Sequence, residues 1–221
     1  MLTQVHRTLA RHNLLPLLAS SCLALTLFAA RVTRSHTITY RFLVWNLVLA
    51  WVPYLVSLWA DRLDRGHPGR WWVLLIPGAL WLLFFPNAPY IVTDFWHLQA
   101  RPLIPVWYDI GMLAAFAWTG LFLAVFSLRT MQSLVKHYLG SILSWLFVIV
   151  VLGMGGLGVY MGRFLRWNSW DLFTQPRTVL GDLAHQLVDP LGNPQAVGVT
   201  FLFAAILMVC YLTITSREPA P

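Results

Sequence analysis

Four polar side chains follow one another at helical spacing in the stretch FFPNAPYIVTDFWHL, residues 84–98. Asn87, Tyr90, Asp94 and His97 recur at intervals of three and four positions, so on a helix they lie on one face. An amide, a phenol, a carboxylate and an imidazole on one face can hydrogen-bond a ligand, exchange protons or hold a metal ion. The stretch ends a long apolar run, where such groups are costly unless they serve a site or pair with one another.

Asp109 joins Asp94 and His97 as the third candidate for acid–base or metal chemistry. It lies in PVWYDI, residues 105–110, at the start of the next apolar stretch. If these three side chains meet, they could bind a divalent metal ion, or act as acid and base in hydrolysis or group transfer at the membrane surface. Asp-x-x-His is a common tetrapeptide, however, and Asp109 alone could simply be favoured by the dipole at a helix N-terminus.

The second polar stretch is GRFLRWNSWD, residues 162–171, which supplies two arginines to the same region. Arginine suits two-pronged pairing with a carboxylate or a phosphate. We expect one of the two to pair with an acid and the other to receive an anion. The predicted ligand-binding residues are Asn87, Tyr90, Arg163, Arg166, Asn168 and Asp171. Alternatively, the arginines reach out to lipid headgroups, and Trp167 and Trp170 are ordinary interface anchors.

The amino-acid composition indicates the class of protein to which these residues belong. Hydrophobic residues make up 58% of the 221 positions, charged residues 10%, and mean hydropathy is +0.67. A spanning helix needs about 20 mainly apolar residues, and inside lipid every backbone polar group must be paired within the protein. The sequence therefore predicts an all-α membrane bundle of about six spans: residues 14–30, 40–60, 71–85, 105–128, 139–161 and 197–215.

Two prolines mark the end of the third predicted span. Proline lacks an N–H and clashes with the preceding turn, so Pro86 and Pro89 should break this helix and leave carbonyls unpaired. Asn87 could cap a new short helix after the break. A broken helix followed by a polar stripe is typical of the binding sites of transporters. The alternative is a helix that simply ends at the interface, with Tyr90, Trp96 and His97 as an aromatic belt.

The whole chain, residues 1–221, is predicted to form one membrane domain. With alternating spans, the first, third and fifth connections share one face, and the polar groups that intrude into apolar sequence gather there. Asn46, in the second span, approaches the same face and could make an interhelical hydrogen bond. A short amphipathic helix over residues 176–188 should lie on the membrane surface and roof that face. The glycines of the fourth and fifth spans suit close helix packing: Gly111, Gly120, Gly153, Gly155, Gly156, Gly158 and Gly162.

At these residues the sequence resembles a known family. WNLVLAWVPY (45–54), FFPNAPYIVTDFWHL (84–98), PVWYDI (105–110) and GRFLRWNSWD (162–171) resemble the bacterial membrane proteins of domain-of-unknown-function family 1361, over residues 40–176. The resemblance implies that the four blocks belong together, but it names no activity. It also implies a bacterial cytoplasmic membrane as the location.

The distribution of charged residues indicates which class of partner the protein binds. The net charge of +7 is spread over loops, without the basic run or basic helix that nucleic-acid binding requires, so membrane lipid is the expected partner. Arg and Lys are nearly balanced between the two faces, and the positive-inside rule gives only a slight preference for cytoplasmic termini. The oligomeric state is left open.

Three classes of function remain open. In the first, the polar face binds or moves an anionic group, such as a lipid headgroup or a small acid. In the second, the protein is a membrane-embedded hydrolase or transferase, with a divalent metal as its cofactor. In the third, the polar residues form an internal salt-bridge network that fixes helix packing in a structural subunit.

Overall fold

The computed structural model describes residues 13–189 and 192–215, and in this part of the chain the fold is a helical bundle without strands. The α-helices are α1 (Leu14–Ser35), α2 (Arg41–Gly66), α3 (Leu75–Phe84), α4 (Asn87–Tyr90), α5 (Val106–Phe164), α6 (Asp171–Thr174), α7 (Pro176–Val188) and α8 (Pro194–Thr215). Two 3₁₀ helices, Trp71–Leu74 and Ile91–His97, precede α3 and follow α4. The predicted all-α class is confirmed.

Among the described residues, five helical stretches are long and apolar enough to cross a membrane: Leu14–Ser35, Arg41–Gly66, Trp71–His97, Val106–Phe164 and Pro194–Thr215. The fourth contains two crossings, because the backbone of Gly140 is non-helical, with φ 82° and ψ 177°. Gly120 precedes this break and lies against Ala88, and Gly158 follows it and lies against Pro86. Ala88 and Pro86 both belong to the third stretch, so both halves of the helix pack on one neighbour. The chain therefore reverses at Gly140, and we call residues 106–139 the outgoing arm and residues 141–164 the return arm.

The predicted connection between the fourth and fifth spans is placed differently in the structure. Helix α5 continues through residues 129–139 without a loop and turns at a single glycine. Glycine adopts positive φ at little cost, which allows so short a reversal.

Contacts between connections establish an alternating arrangement of the crossings. At one end, the Tyr40 hydroxyl donates to the carbonyl of His97 (3.3 Å), and Arg163 donates to the His97 ring (3.0 Å), so the first, third and fifth connections meet. At the other end, Tyr138 donates to Asp64, which joins the second connection to the Gly140 turn. The expectation that the odd-numbered connections share one face is confirmed by these contacts.

The third crossing has the predicted interruption, in a milder form. α3 ends at Phe84, yet Phe85 and Pro86 keep right-handed helical angles, so the axis continues while the ladder of backbone hydrogen bonds is interrupted. Asn87 does not cap the next turn through its side chain, contrary to expectation. Its amide instead donates to the carbonyl of Phe84 at 3.0 Å, within the interrupted turn.

Glycine contacts show where helices approach most closely. A Cβ on Gly156 would lie 2.3 Å from the carbonyl oxygen of Thr200 in α8, and one on Gly120 would lie 2.4 Å from that of Ala88. Gly111 and Gly153 have nothing within 4 Å of that position. The packing role predicted for the glycines is thus confirmed for Gly156 and Gly120, but it is wrong for Gly111 and Gly153.

The alternating topology can be tested with single cysteines at Arg65, Leu103 and Gln175 in a variant without Cys22 and Cys210. Leu103 and Gln175 lie in the third and fifth connections, so a membrane-impermeant thiol reagent should reach both from one side and Arg65 from the other. Labelling of Arg65 and Gln175 from the same side would contradict the six-crossing arrangement.

The close approach of α8 can be tested by comparing Gly156→Ala with Gly153→Ala. The first substitution forces the return arm away from α8 and should cost about 1–3 kcal/mol. The second adds a methyl group in open space and should be neutral or slightly stabilising, because alanine favours helix more than glycine does. Thermal unfolding in detergent measures both, and equal melting temperatures for the two variants would contradict the packing described.

Candidate functional site

A groove of about 540 Å³ opens between α2, the third crossing, the return arm and the surface helix α7. Most of its wall is apolar. Five polar residues line it, and they come from three separate parts of the chain: Asn46, Asn87, Tyr90, Asn168 and Ser169. Val179, Leu180 and Leu183 of α7 close one side, so the predicted surface helix lies against the polar face. We call this cavity the lateral groove.

The polar end of the lateral groove forms around the break at Pro86. Asn87 donates its amide to the Ser169 hydroxyl (2.9 Å) as well as to the Phe84 carbonyl, and Ser169 donates to the carbonyl of Leu83 (3.0 Å). The carbonyls of Leu83 and Phe84 are therefore paired by side chains. These bonds hold the fifth connection against the third crossing. Sequence reasoning missed Ser169, because nothing local distinguishes it from an ordinary loop serine.

Asn46 connects the lateral groove to a buried acid. Its side-chain amide donates to Asp94 at 2.8 Å, and Asp94 is only 1% exposed. The interhelical hydrogen bond expected of Asn46 is confirmed. Asn46 thus lines the groove while one of its N–H groups is held by Asp94.

His97 lies on a different side of the third crossing, with the guanidinium of Arg163. The Nη1 of Arg163 is 3.0 Å from Nε2 of His97, and the ring of His97 packs on Phe42 with 4.8 Å between centroids. Arginine has only donors, so Nε2 must accept and the ring is neutral, with its proton on Nδ1. The four residues of the predicted stripe thus divide: Asn87 and Tyr90 line the groove, while Asp94 and His97 contact other partners.

Asp109 forms a buried ion pair with Arg31 of α1. The Nε of Arg31 lies 2.7 Å from one carboxylate oxygen, and both side chains are 1% exposed. Tyr40 covers the pair, with its ring centroid 4.6 Å from the guanidinium carbon of Arg31. Burial, followed by the Asp109 carboxylate, raises the pKa of the Tyr40 phenol, which therefore stays protonated and donates to His97.

The expected meeting of Asp94, His97 and Asp109 does not occur. Each has its own partner, namely Asn46, Arg163 and Arg31. Within residues 13–189 and 192–215, no three His, Cys, Asp or Glu side chains come close enough together to hold a metal ion. In the described residues Asp94, His97 and Asp109 therefore do not form one cluster that could hold a metal ion.

The expected pairing of Arg163 or Arg166 with an acid is also wrong. In the described ranges neither arginine forms an ion pair, whereas Arg31 pairs with Asp109 and Arg65 pairs with Asp61. Asp171 instead accepts from the backbone N–H of Asn168 (2.7 Å) and from its side chain, which closes a local turn. The inward-facing arginine is Arg31, which sequence reasoning missed because an arginine at the end of a span is usually a headgroup anchor.

Arg166 is exposed and takes a left-handed backbone conformation, with φ 61°. This conformation is unusual for a residue other than glycine, and it commonly ends a helix. Here it turns the chain so that Trp167, Asn168 and Ser169 reach the lateral groove. Arg166 directly precedes three lining residues in the chain, and we call its position next to the lining the rim.

The family model for "Protein of unknown function (DUF1361)" matches residues 45–210. The chain belongs to this family. The match includes every residue that lines the lateral groove and extends beyond the region of resemblance, through α7 and most of α8. Arg31 and Tyr40 lie outside it. Neither a curated protein nor a solved structure gives a significant match.

The buried pair can be tested by the substitution Arg31→Met. It leaves the Asp109 carboxylate buried without its partner, which should cost about 3–5 kcal/mol. The double variant Arg31→Met/Asp109→Leu should recover most of this loss. Arg65→Met breaks an exposed pair and should cost less than about 1 kcal/mol. Thermal unfolding in detergent provides the comparison, and a single variant as stable as the double variant would contradict the proposed pairing.

Proposed function

We propose that this membrane protein binds an amphipathic molecule with an anionic head, such as a membrane lipid, in the lateral groove. One observation carries the proposal: a cavity of about 540 Å³ has apolar walls along three crossings and hydrogen-bonding side chains at its Pro86 end. Ligand cavities of this size and character are typical sites for drug-sized amphiphiles. In this arrangement an acyl chain contacts residues such as Leu49 and Met154, and the head contacts the amides.

The hydrogen-bonding groups at the polar end are fixed before a ligand arrives. Asp94 orients Asn46, and Ser169 orients Asn87. Orientation by neighbouring hydrogen bonds lowers the entropy lost on binding. Both N–H groups of Asn87 already donate, so Asn87 offers only its carbonyl oxygen, which suits a hydroxyl group of the head. Asn46 uses one N–H for Asp94 and keeps the second for a phosphate oxygen.

Charge for an anionic head comes from the rim of the groove. None of the lining residues is charged. Arg166 is exposed, and the described residues provide no acid that neutralises it. Its guanidinium suits a phosphate or carboxylate, and one such cation near a membrane surface contributes about 1 kcal/mol toward an anionic lipid.

The two alternatives have less support at this site. A metal-dependent hydrolase or transferase would need a cluster of ligands that the described residues do not bring together. A structural network fits Arg31 and Asp109, because this buried pair joins α1 to the outgoing arm. It does not account for a groove lined by neutral polar groups.

A substitution that fills the lateral groove tests the proposal. Ala79 lines the groove and is exposed to it, so Ala79→Trp should displace the ligand and lower binding at least about tenfold. Ile76→Trp places the same side chain about one turn earlier on α3, outside the groove lining, where Ile76 is 74% exposed, and serves as the matched control. Native mass spectrometry of detergent-purified protein, titrated with phosphatidylglycerol, measures the affinity. Equal affinities for the two variants would exclude the groove as the site.

The role of the rim arginine is tested in the same titration. Arg166→Gln should weaken phosphatidylglycerol binding about fivefold and leave phosphatidylcholine unchanged. Arg70→Gln removes an exposed arginine from the opposite face and should change neither affinity. A loss that is equal for both lipids would contradict an anionic preference at Arg166.

A further inference from the structure

A second cavity, of about 270 Å³, lies at the opposite end of the bundle from the lateral groove. Its lining comes from the end of the outgoing arm, the start of the return arm and the end of α8. The lining residues are Arg129, Gln132, Ser133, Lys136, Ser141, Ser144, Trp145, Tyr211 and Thr215. Two are cations, and none is an acid. We call this cavity the basic pocket.

We propose that the basic pocket is a binding site for a phosphate group. Lys136, the single lysine of the chain, is exposed at the pocket and pairs with no acid in residues 13–189 and 192–215. An ammonium group offers three donors and a concentrated charge, which suits phosphate oxygens. This site is independent of the lateral groove and of the function proposed for it.

The neutral residues of the basic pocket supply further donors. Tyr211 donates to the side-chain oxygen of Gln132, which fixes the amide of Gln132 so that its nitrogen is free to donate to a ligand. Ser133 and Ser144 donate to carbonyls of their own helices and offer oxygen lone pairs. The pocket therefore combines donors with acceptors, which matches a phosphate that carries both charged oxygens and an ester or hydroxyl group.

The surroundings of the basic pocket favour a lipid headgroup as the source of this phosphate. Leu139 and Ile142 flank the Gly140 turn and are 59% and 86% exposed, and Trp145 is 41% exposed. Large apolar side chains at the end of a spanning helix face lipid, and tryptophan is enriched at headgroup level. A cationic pocket bordered by such residues opens where the phosphates of one leaflet lie.

The substitution Lys136→Gln tests the pocket in a background that also carries Ala79→Trp, so that lipid in the lateral groove does not contribute. Phosphatidic acid and sodium phosphate are titrated separately against detergent-purified protein, with binding followed by native mass spectrometry and thermal shift. Lys136→Gln should weaken phosphatidic acid binding about fivefold. Arg62→Gln removes an exposed arginine from the same face outside the pocket and should change nothing.

Chemical protection gives a second measurement that needs no variant. Because the chain has one lysine, an amine reagent modifies only Lys136 and the N-terminal amine. Phosphatidic acid should slow modification of Lys136 and leave that of the N-terminus unchanged, while phosphatidylcholine should protect neither. Protection by sodium phosphate at the same concentration supports the phosphate site and identifies free phosphate as the source. Equal affinities of parent and Lys136→Gln, together with no protection by either phosphate probe, would overturn the proposal.

Discussion

The lateral groove depends on one constraint, namely that backbone carbonyls at membrane depth must be paired within the protein. Pro86 and Pro89 lack the N–H groups that would pair the carbonyls of Leu82 and Phe85, and in the distorted turn the Ala88 N–H donates to the carbonyl of Phe85 instead of that of Phe84. Asn87 and Ser169 take over the carbonyls of Phe84 and Leu83. Because Ser169 belongs to the fifth connection, its hydrogen bond to the Leu83 carbonyl also holds that connection at the groove. The interruption and the site therefore have a common cause.

Close helix packing determines the shape of this groove. Cβ atoms on Gly158 and Gly162 would lie 2.5 Å from Pro86 and 3.2 Å from the ring of Tyr90, so the return arm approaches the third crossing where its ladder is interrupted. Small residues permit such contact between backbones in membranes. Larger side chains here would move the return arm away, and Ser169 with it. The glycines thus affect the polar end of the groove only by allowing this close approach, because they have no side chain that could contact a ligand.

Local patterns predicted much of this structure, and distant pairings account for most of what they missed. Hydropathy and the prolines predicted the crossings and the interruption, since both depend on neighbouring residues. The partners of Arg31 and Ser169 lie 78 and 86 positions away in sequence, so their roles appear only after packing. Asp109 was identified as a polar residue at membrane depth, but its partner was not. Gly140 was missed because polar residues before it, such as Gln132 and Lys136, indicated a loop, whereas the structure places them on the helix that leads to the turn.

The buried charged residues and the lining of the groove lie in different parts of the bundle. Arg31 and Asp109 are both buried and their charges compensate each other, so neither faces an incoming molecule. The groove has only neutral polar groups in its lining, and its arginine stands at the rim. An unpaired charge inside an empty apolar groove would cost several kcal/mol, whereas an amide loses far less. In the binding mode that we propose, a ligand enters sideways from the membrane and keeps its charged head near Arg166, while the oriented amides contact the polar atoms next to it.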